Sequence, residues 1–146
     1  MNATMKKFGY PETLIREYKH WVVLLRPQQA TLGALVLVCK DEAEAFSKIS
    51  LAAFSELKEV TSAIERHLGR CFSYDKINYL MLMMIDKDVH FHVLPRYAES
   101  RVFDQIEFED PGWPGPPDLS RVNSTGAAIN QGLQTKLQKA FKEEVF

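Results

Sequence analysis

Between residues 50 and 68 the apolar side chains Ala53, Leu57, Val60, Ile64 and Leu68 recur at steps of three and four, while Glu56, Lys58, Glu59, Glu65 and Arg66 fall elsewhere around the turn. A stripe of that period is one apolar face of an α-helix, and it has to be buried against another layer. Gly69 is the predicted C-terminal stop. The layer it needs is written on both sides of it. Residues 21–26 and 34–39 are apolar, largely β-branched runs separated by Pro27, Gln28, Gln29 and Gly33, as expected of two antiparallel strands and a loop. Residues 77–85 and 89–94 form a second strand-like pair, with Asp86, Lys87 and Asp88 supplying the turn of a hairpin. A long helix inserted between strand pairs predicts an α+β fold around a largely antiparallel sheet.

The ends of the chain add less. Pro11, Glu12, Leu14, Ile15 and Tyr18 have the spacing of a short amphipathic helix with proline in its first turn. Residues 101–108 suit another strand, and the proline-rich stretch 110–117 a loop, because proline cannot donate to a ladder. Ile129, Leu133, Leu137 and Phe141 line a last helix whose Lys136, Lys139 and Lys142 suit its C-terminal half. A length of 146 residues matches one domain, 1–146, in which 109–146 form a loop and C-terminal helix extension.

Several classes are set aside by composition. Hydrophobic residues at 46% and charged ones at 25% are those of a globular chain, not a disordered one. A net charge of -1 gives no broad field for long nucleic acid, although one small nucleotide needs only a local positive pocket. Cys39 and Cys71 lack metal-like spacing and suit reduced thiols, so a cytoplasmic location is expected. The first ten residues lack a secretory pattern and no run of about 18 apolar residues occurs, so neither export nor membrane spanning is expected.

Chemistry concentrates in Asp88-Val89-His90-Phe91-His92-Val93-Leu94-Pro95-Arg96. Strand alternation puts Val89, Phe91 and Val93 toward the core and Asp88, His90 and His92 together on the other, exposed face. Imidazole is the side chain most easily poised near neutral pH, so this cluster suits a nucleophile with an orienting neighbour. Two bland alternatives stay open. A strand histidine is often a hydrogen-bonded filler, and His90 with His92 could both reach one zinc ion, but the remaining histidines, His20 and His67, sit on other predicted helices and supply no third ligand. Trp113 more often pins such a loop than covers a base, and Met81, Met83 and Met84 look like core filling.

The segment from His90 to Arg96 resembles the second half of the signature of the histidine triad family of nucleotide hydrolases and transferases. Asp75-Lys76-Ile77-Asn78 lies where many members have a strand with an asparagine, and Thr31-Leu32-Gly33 before residues 34–38 resembles the family's glycine turn and strand. The similarity spans residues 21–97. It implies a homodimer with an antiparallel sheet, a small nucleotide substrate and no redox cofactor or coenzyme. By position, His90 inherits the histidine that attacks the α-phosphorus to form a nucleotidyl-histidine intermediate, and His92 the last triad position, binding phosphate oxygens or fixing the pocket. Asn78 and Arg26 fall where substrate contacts are expected, although Arg26 also reads as a solvent-facing strand end.

Asp88 occupies the first triad position, where the family has histidine. A carboxylate facing phosphate repels it and favours a protonated imidazole beside it, which puts substrate choice and rate in question. The resemblance therefore implies a nucleotidyl hydrolase or transferase acting on conjugates such as dinucleoside polyphosphates. The alternative is a nucleotide-binding regulatory module with little turnover.

Overall fold

The computed structural model describes residues 1–123 and 125–143. Five strands form one antiparallel sheet: β1 (Leu14–Glu17), β2 (Trp21–Leu25), β3 (Leu35–Cys39), β4 (Lys76–Leu80) and β5 (His90–Arg96), in the order β1-β2-β3-β5-β4. The α+β fold with a largely antiparallel sheet is as the sequence predicts. A short helix α1 (Ala3–Lys7) precedes the sheet, the long helix α2 (Leu51–Phe72) joins β3 to β4, and α3 (Ala127–Lys142) ends the described chain. No helix among the described residues is long and apolar enough to cross a membrane.

Register sorts the side chains. Opposite pairs Val23–Leu37 and Leu37–Phe91 carry one face, on which Trp21, Leu25, Leu35, Cys39 and Val93 pack against Ala53, Val60, Ile64 and Leu68 of α2 and Leu133, Leu137 and Phe141 of α3. The pairs Val22–Val38 and Val36–His92 carry the other face, and there Val22, Leu24, Val36 and Val38 are covered by Met5 of α1. Every residue of β2 and β3 is buried. Burial on both faces explains why these strands read as unbroken apolar runs with no polar alternation.

α2 begins where Ser50 accepts a hydrogen bond from the Ala53 amide at 3.1 Å. It runs past the predicted stop: Gly69 is inside the helix, and the chain turns at Ser73, whose φ is 52°. Burial of Phe72 on the helix-packed side extends the stripe by one more turn.

The expected helix at Pro11 to Tyr18 is absent. Residues 10–13 form a turn and β1 follows, because the backbone groups of Leu14–Glu17 find partners on β2, with a register irregularity between Leu14 and Arg16. His20 accordingly lies in the β1–β2 turn, its backbone N–H donating to Glu56 at 2.7 Å. β4 ends at Leu80, not at residue 85, and Met84 is 89% exposed instead of filling core. The single strand expected over 101–108 is a hairpin of β6 (Arg101–Phe103) and β7 (Ile106–Phe108), with Asp104 and Gln105 at φ 50° and 68° making its turn.

Gly33 holds the β2–β3 loop where α2 ends. Its φ is 83°, and a Cβ there would sit 2.8 Å from the Phe72 ring. Gly33→Ala should therefore destabilise the protein by about 2–3 kcal/mol. Urea denaturation checks this, and an unchanged midpoint would show that the loop tolerates the side chain.

Candidate active site

The site grows from the end of β2 and the start of β5. Gln29, fully buried in the β2–β3 loop, donates through Nε2 to the carbonyls of Arg26 (2.7 Å) and Ala34 (2.9 Å) and accepts from the Gly33 amide (2.9 Å). This cross-bracing fixes the backbone of Arg26, whose side chain is then directed back over the sheet. Arg26 Nε donates to His92 Nδ1 at 3.3 Å, and Nη1 donates to the Gln28 carbonyl at 2.6 Å. Arg26 is thus buried beside the histidines, not at a solvent-facing strand end. Burial lowers its pKa.

That bond also sets the chemistry of His92. A guanidinium can only donate, so Nδ1 is the bare nitrogen and the neutral ring carries its proton on Nε2. Burial, then the Arg26 charge and the neighbouring His90, push the His92 pKa down to about 4. His92 is a neutral hydrogen-bond donor across the physiological range.

His90 is fixed in the complementary way. Its Nδ1 lies 2.7 Å from the backbone carbonyl of Asp88, and a carbonyl only accepts, so Nδ1 carries the proton. Nε2 is left with its lone pair, buried and without a hydrogen-bond partner among the described residues. The two imidazoles stand edge to face with centroids 5.3 Å apart. Neither histidine is exposed, contrary to expectation. Phe8, following α1, lies 6.0 Å from the His90 ring and 5.5 Å from His92, centroid to centroid.

The Asp88 carboxylate turns to α1: its Oδ2 accepts from the Thr4 amide at 3.1 Å and the Thr4 hydroxyl at 3.0 Å. Asp88 meets the histidines through its backbone. Asn78 shares their sheet face, opposite Leu94, but belongs to a neighbouring cleft of about 370 Å³ lined by Lys76, Arg96, Trp113 and the prolines of its loop. Its Oδ1 accepts from Arg96 Nη1 at 2.7 Å. Arg96 in turn forms a buried ion pair with Asp110, Nε to Oδ2 at 2.7 Å, and donates to the Gly115 carbonyl at 2.9 Å. These bonds use the Arg96 fork to hold the proline-rich loop onto β5.

The structure therefore brings Arg26, His90 and His92 together, attaches Asp88 by its carbonyl, and leaves Asn78 one cleft away. Among the described residues no three His, Cys, Asp or Glu side chains converge as a metal site. Sequence reasoning missed α1 altogether. The signal was present in Asn2, whose side chain caps the Met5 amide at 3.0 Å, and in the apolar spacing of Met5 and Phe8, but a helix of five residues has too little pattern to stand out.

No family model and no curated protein matches the sequence. Solved structures do match. A histidine triad protein from Sinorhizobium meliloti 1021 superposes with a TM-score of 0.74 at 17% identity, covering 96% of this chain and 95% of that one. A histidine triad protein from Marinobacter aquaeolei VT8 gives 0.71 at 20% identity over 89% and 88% of the two chains. A hypothetical histidine triad nucleotide-binding protein from Sulfolobus tokodaii strain7 gives 0.67 at 13% identity over 89% and 83%. At such identities the likeness is one of architecture: this chain has the fold of the histidine triad proteins.

Proposed function

We propose that the protein is a nucleotidyl hydrolase or transferase in which His90 attacks the α-phosphate of a nucleotide conjugate such as a dinucleoside polyphosphate. The observation that carries this reading is the tautomer of His90. With Nδ1–H committed to the Asp88 carbonyl, the Nε2 lone pair is the only free functional atom of the ring. A neutral imidazole held in this way is an activated nucleophile, and the carbonyl stabilises the charge that the ring gains on reaction. The nucleotide-binding description of the Sulfolobus protein agrees with a nucleotide ligand.

In the first step Nε2 forms a bond to phosphorus while the bond to the leaving group breaks, and the leaving group departs with the electron pair and takes up a proton. His90 then carries phosphorus on Nε2 and a proton on Nδ1, an imidazolium facing the Asp88 carbonyl. Water or another acceptor attacks phosphorus next, loses a proton, and the P–N electron pair returns to Nε2. His92, a donor through Nε2–H, and the Arg26 cation would stabilise the extra charge on the phosphoryl oxygens. Asn78, in the adjoining cleft, is placed to meet a more distant part of the same substrate.

His90→Asn should lower release of nucleoside monophosphate at least about a hundredfold, measured with a panel of adenylated and guanylated compounds. Asparagine can still donate to the Asp88 carbonyl, so the unfolding temperature should change little. Wild-type turnover in that variant would remove the central claim, and binding without release by the wild type would favour a regulatory module.

A second expectation follows from His92. Its folded pKa, about 4, lies below the unfolded value near 6.5, so the unfolded chain binds more protons between these limits. Stability from this group is complete above about pH 6.5 and declines as pH falls toward 4, by about 1–2 kcal/mol at pH 5. Denaturation from pH 7 to 5 should show a shallower decline in His92→Gln than in the wild type. Equal slopes would mean that His92 is not held neutral by the fold.

We further propose, on the resemblance, that the active species is a homodimer, with the element around Ser50 to Leu68, whose Leu51 is 83% exposed, or the C-terminal segment contributing apolar contact. Light scattering over a micromolar dilution series should give twice the chain mass, and a fully active monomer throughout would reject the assembly.

A further inference from the structure

An acceptor buried without a partner is costly, and such a group in a folded protein calls for an explanation. His90 Nε2 is one, and it is sealed from solvent by the segment that contains α1 and Phe8. A small opening bounded by Lys7, Phe8, Arg26, Pro27 and Gln28 encloses about 230 Å³.

The attachments of α1 divide between the sheet with the end of β3, including a bond from Asn2 to the Asp41 carbonyl, and the connection before β5. Asn2 donates to the Cys39 carbonyl at 2.8 Å, and Met5 packs on the sheet. The other anchors are Thr4 on the Asp88 carboxylate and an ion pair of Lys7 with Asp86 at 2.8 Å, both in the connection that runs directly into His90. Five residues of helix have little stability of their own, and the ion pair is surface-exposed on the lysine side, so local opening is inexpensive compared with global unfolding. Gly9, with φ 90°, follows Phe8 and can serve as the pivot.

We propose that α1 with Phe8 is a movable cover over His90, and that Asp88 is the positioning residue that latches it shut through Thr4. The carboxylate satisfies an amide of the first helical turn, one of the groups that a helix leaves unpaired, together with the hydroxyl of the same residue. Asp88 thus governs access to the nucleophile without touching the reacting atoms. The significance assigned to that access rests on the nucleotidyl-transfer reading, but the cover itself does not.

The test uses diethyl pyrocarbonate on the full-length protein, with the modified histidines mapped by mass spectrometry. In the wild type His90 should react at least about tenfold more slowly than the half-exposed His20. Asp88→Ala, Thr4→Val and Phe8→Ala should each accelerate modification of His90 several-fold while His67, buried between α2 and α3, stays slow and reports that the fold is intact. His90 reacting as fast as His20 in the wild type, or at one rate in all four proteins, would overturn the cover. If unlatching exposes His90 and no nucleotide in the panel is turned over by any of these proteins, the cover stands and the hydrolase reading falls. If the wild type turns over nucleotide while the variants leave His90 modification unchanged, the reverse holds.

Discussion

The central strands of the sheet are buried on both faces, and most of what is distinctive about the site follows from that. On one side α2 and α3 supply Ile64, Leu68, Leu133, Leu137 and Phe141; on the other Met5 and Phe8 cover Val22, Val36, Val38 and the two histidines. Polar groups on such a face have no water to turn to, so each must find a partner in the protein. Arg26 and His92 find each other, His90 Nδ1 finds the Asp88 carbonyl, and the resulting tautomers leave one reactive atom, His90 Nε2. The same burial keeps His92 uncharged. A more open sheet face would let water satisfy all three side chains and would leave the protons unassigned.

A second buried ion pair plays a different part. Arg96 and Asp110 are both almost wholly enclosed, and the Asp110 carboxylate also accepts from the Tyr97 amide at 3.0 Å. Leaving either charge alone in that environment would be far more costly than the pair itself contributes, so their joint presence locks the proline-rich loop to the end of β5. This brings Trp113 over the cleft that contains Asn78. The proline-arginine that ends the histidine segment thereby joins β5 to the wall of the neighbouring cleft.

The substitution of Asp88 for the first histidine of the triad pattern has a simple physical outcome. A bare carboxylate beside the imidazoles would favour their protonated forms, but here it turns to α1 and accepts two hydrogen bonds from Thr4. The bond to His90 comes from the Asp88 carbonyl and is independent of the side chain. A change of side chain at this position is therefore compatible with an intact His90 tautomer.

Whatever has a period or a local chemical rule is legible along the chain: the stripe of α2, the apolar runs of β2 and β3, the alternation that separates Phe91 from His90 and His92, and the histidine segment with its resemblance. Local patterns fail where a helical spacing lies on an edge strand, as at Leu14 to Tyr18, or where an element is too short to have a pattern, as in α1. The packed fold makes Leu14–Glu17 a strand, since β2 supplies its hydrogen-bond partners. Likewise it decided that Arg26 turns inward to His92, that the Asp88 carboxylate leaves the histidines for Thr4, and that the histidines are covered. These contacts join residues 66 and 84 positions apart in the chain. No local rule encodes such a meeting; it exists only once the sheet has set its register and its two faces have been buried.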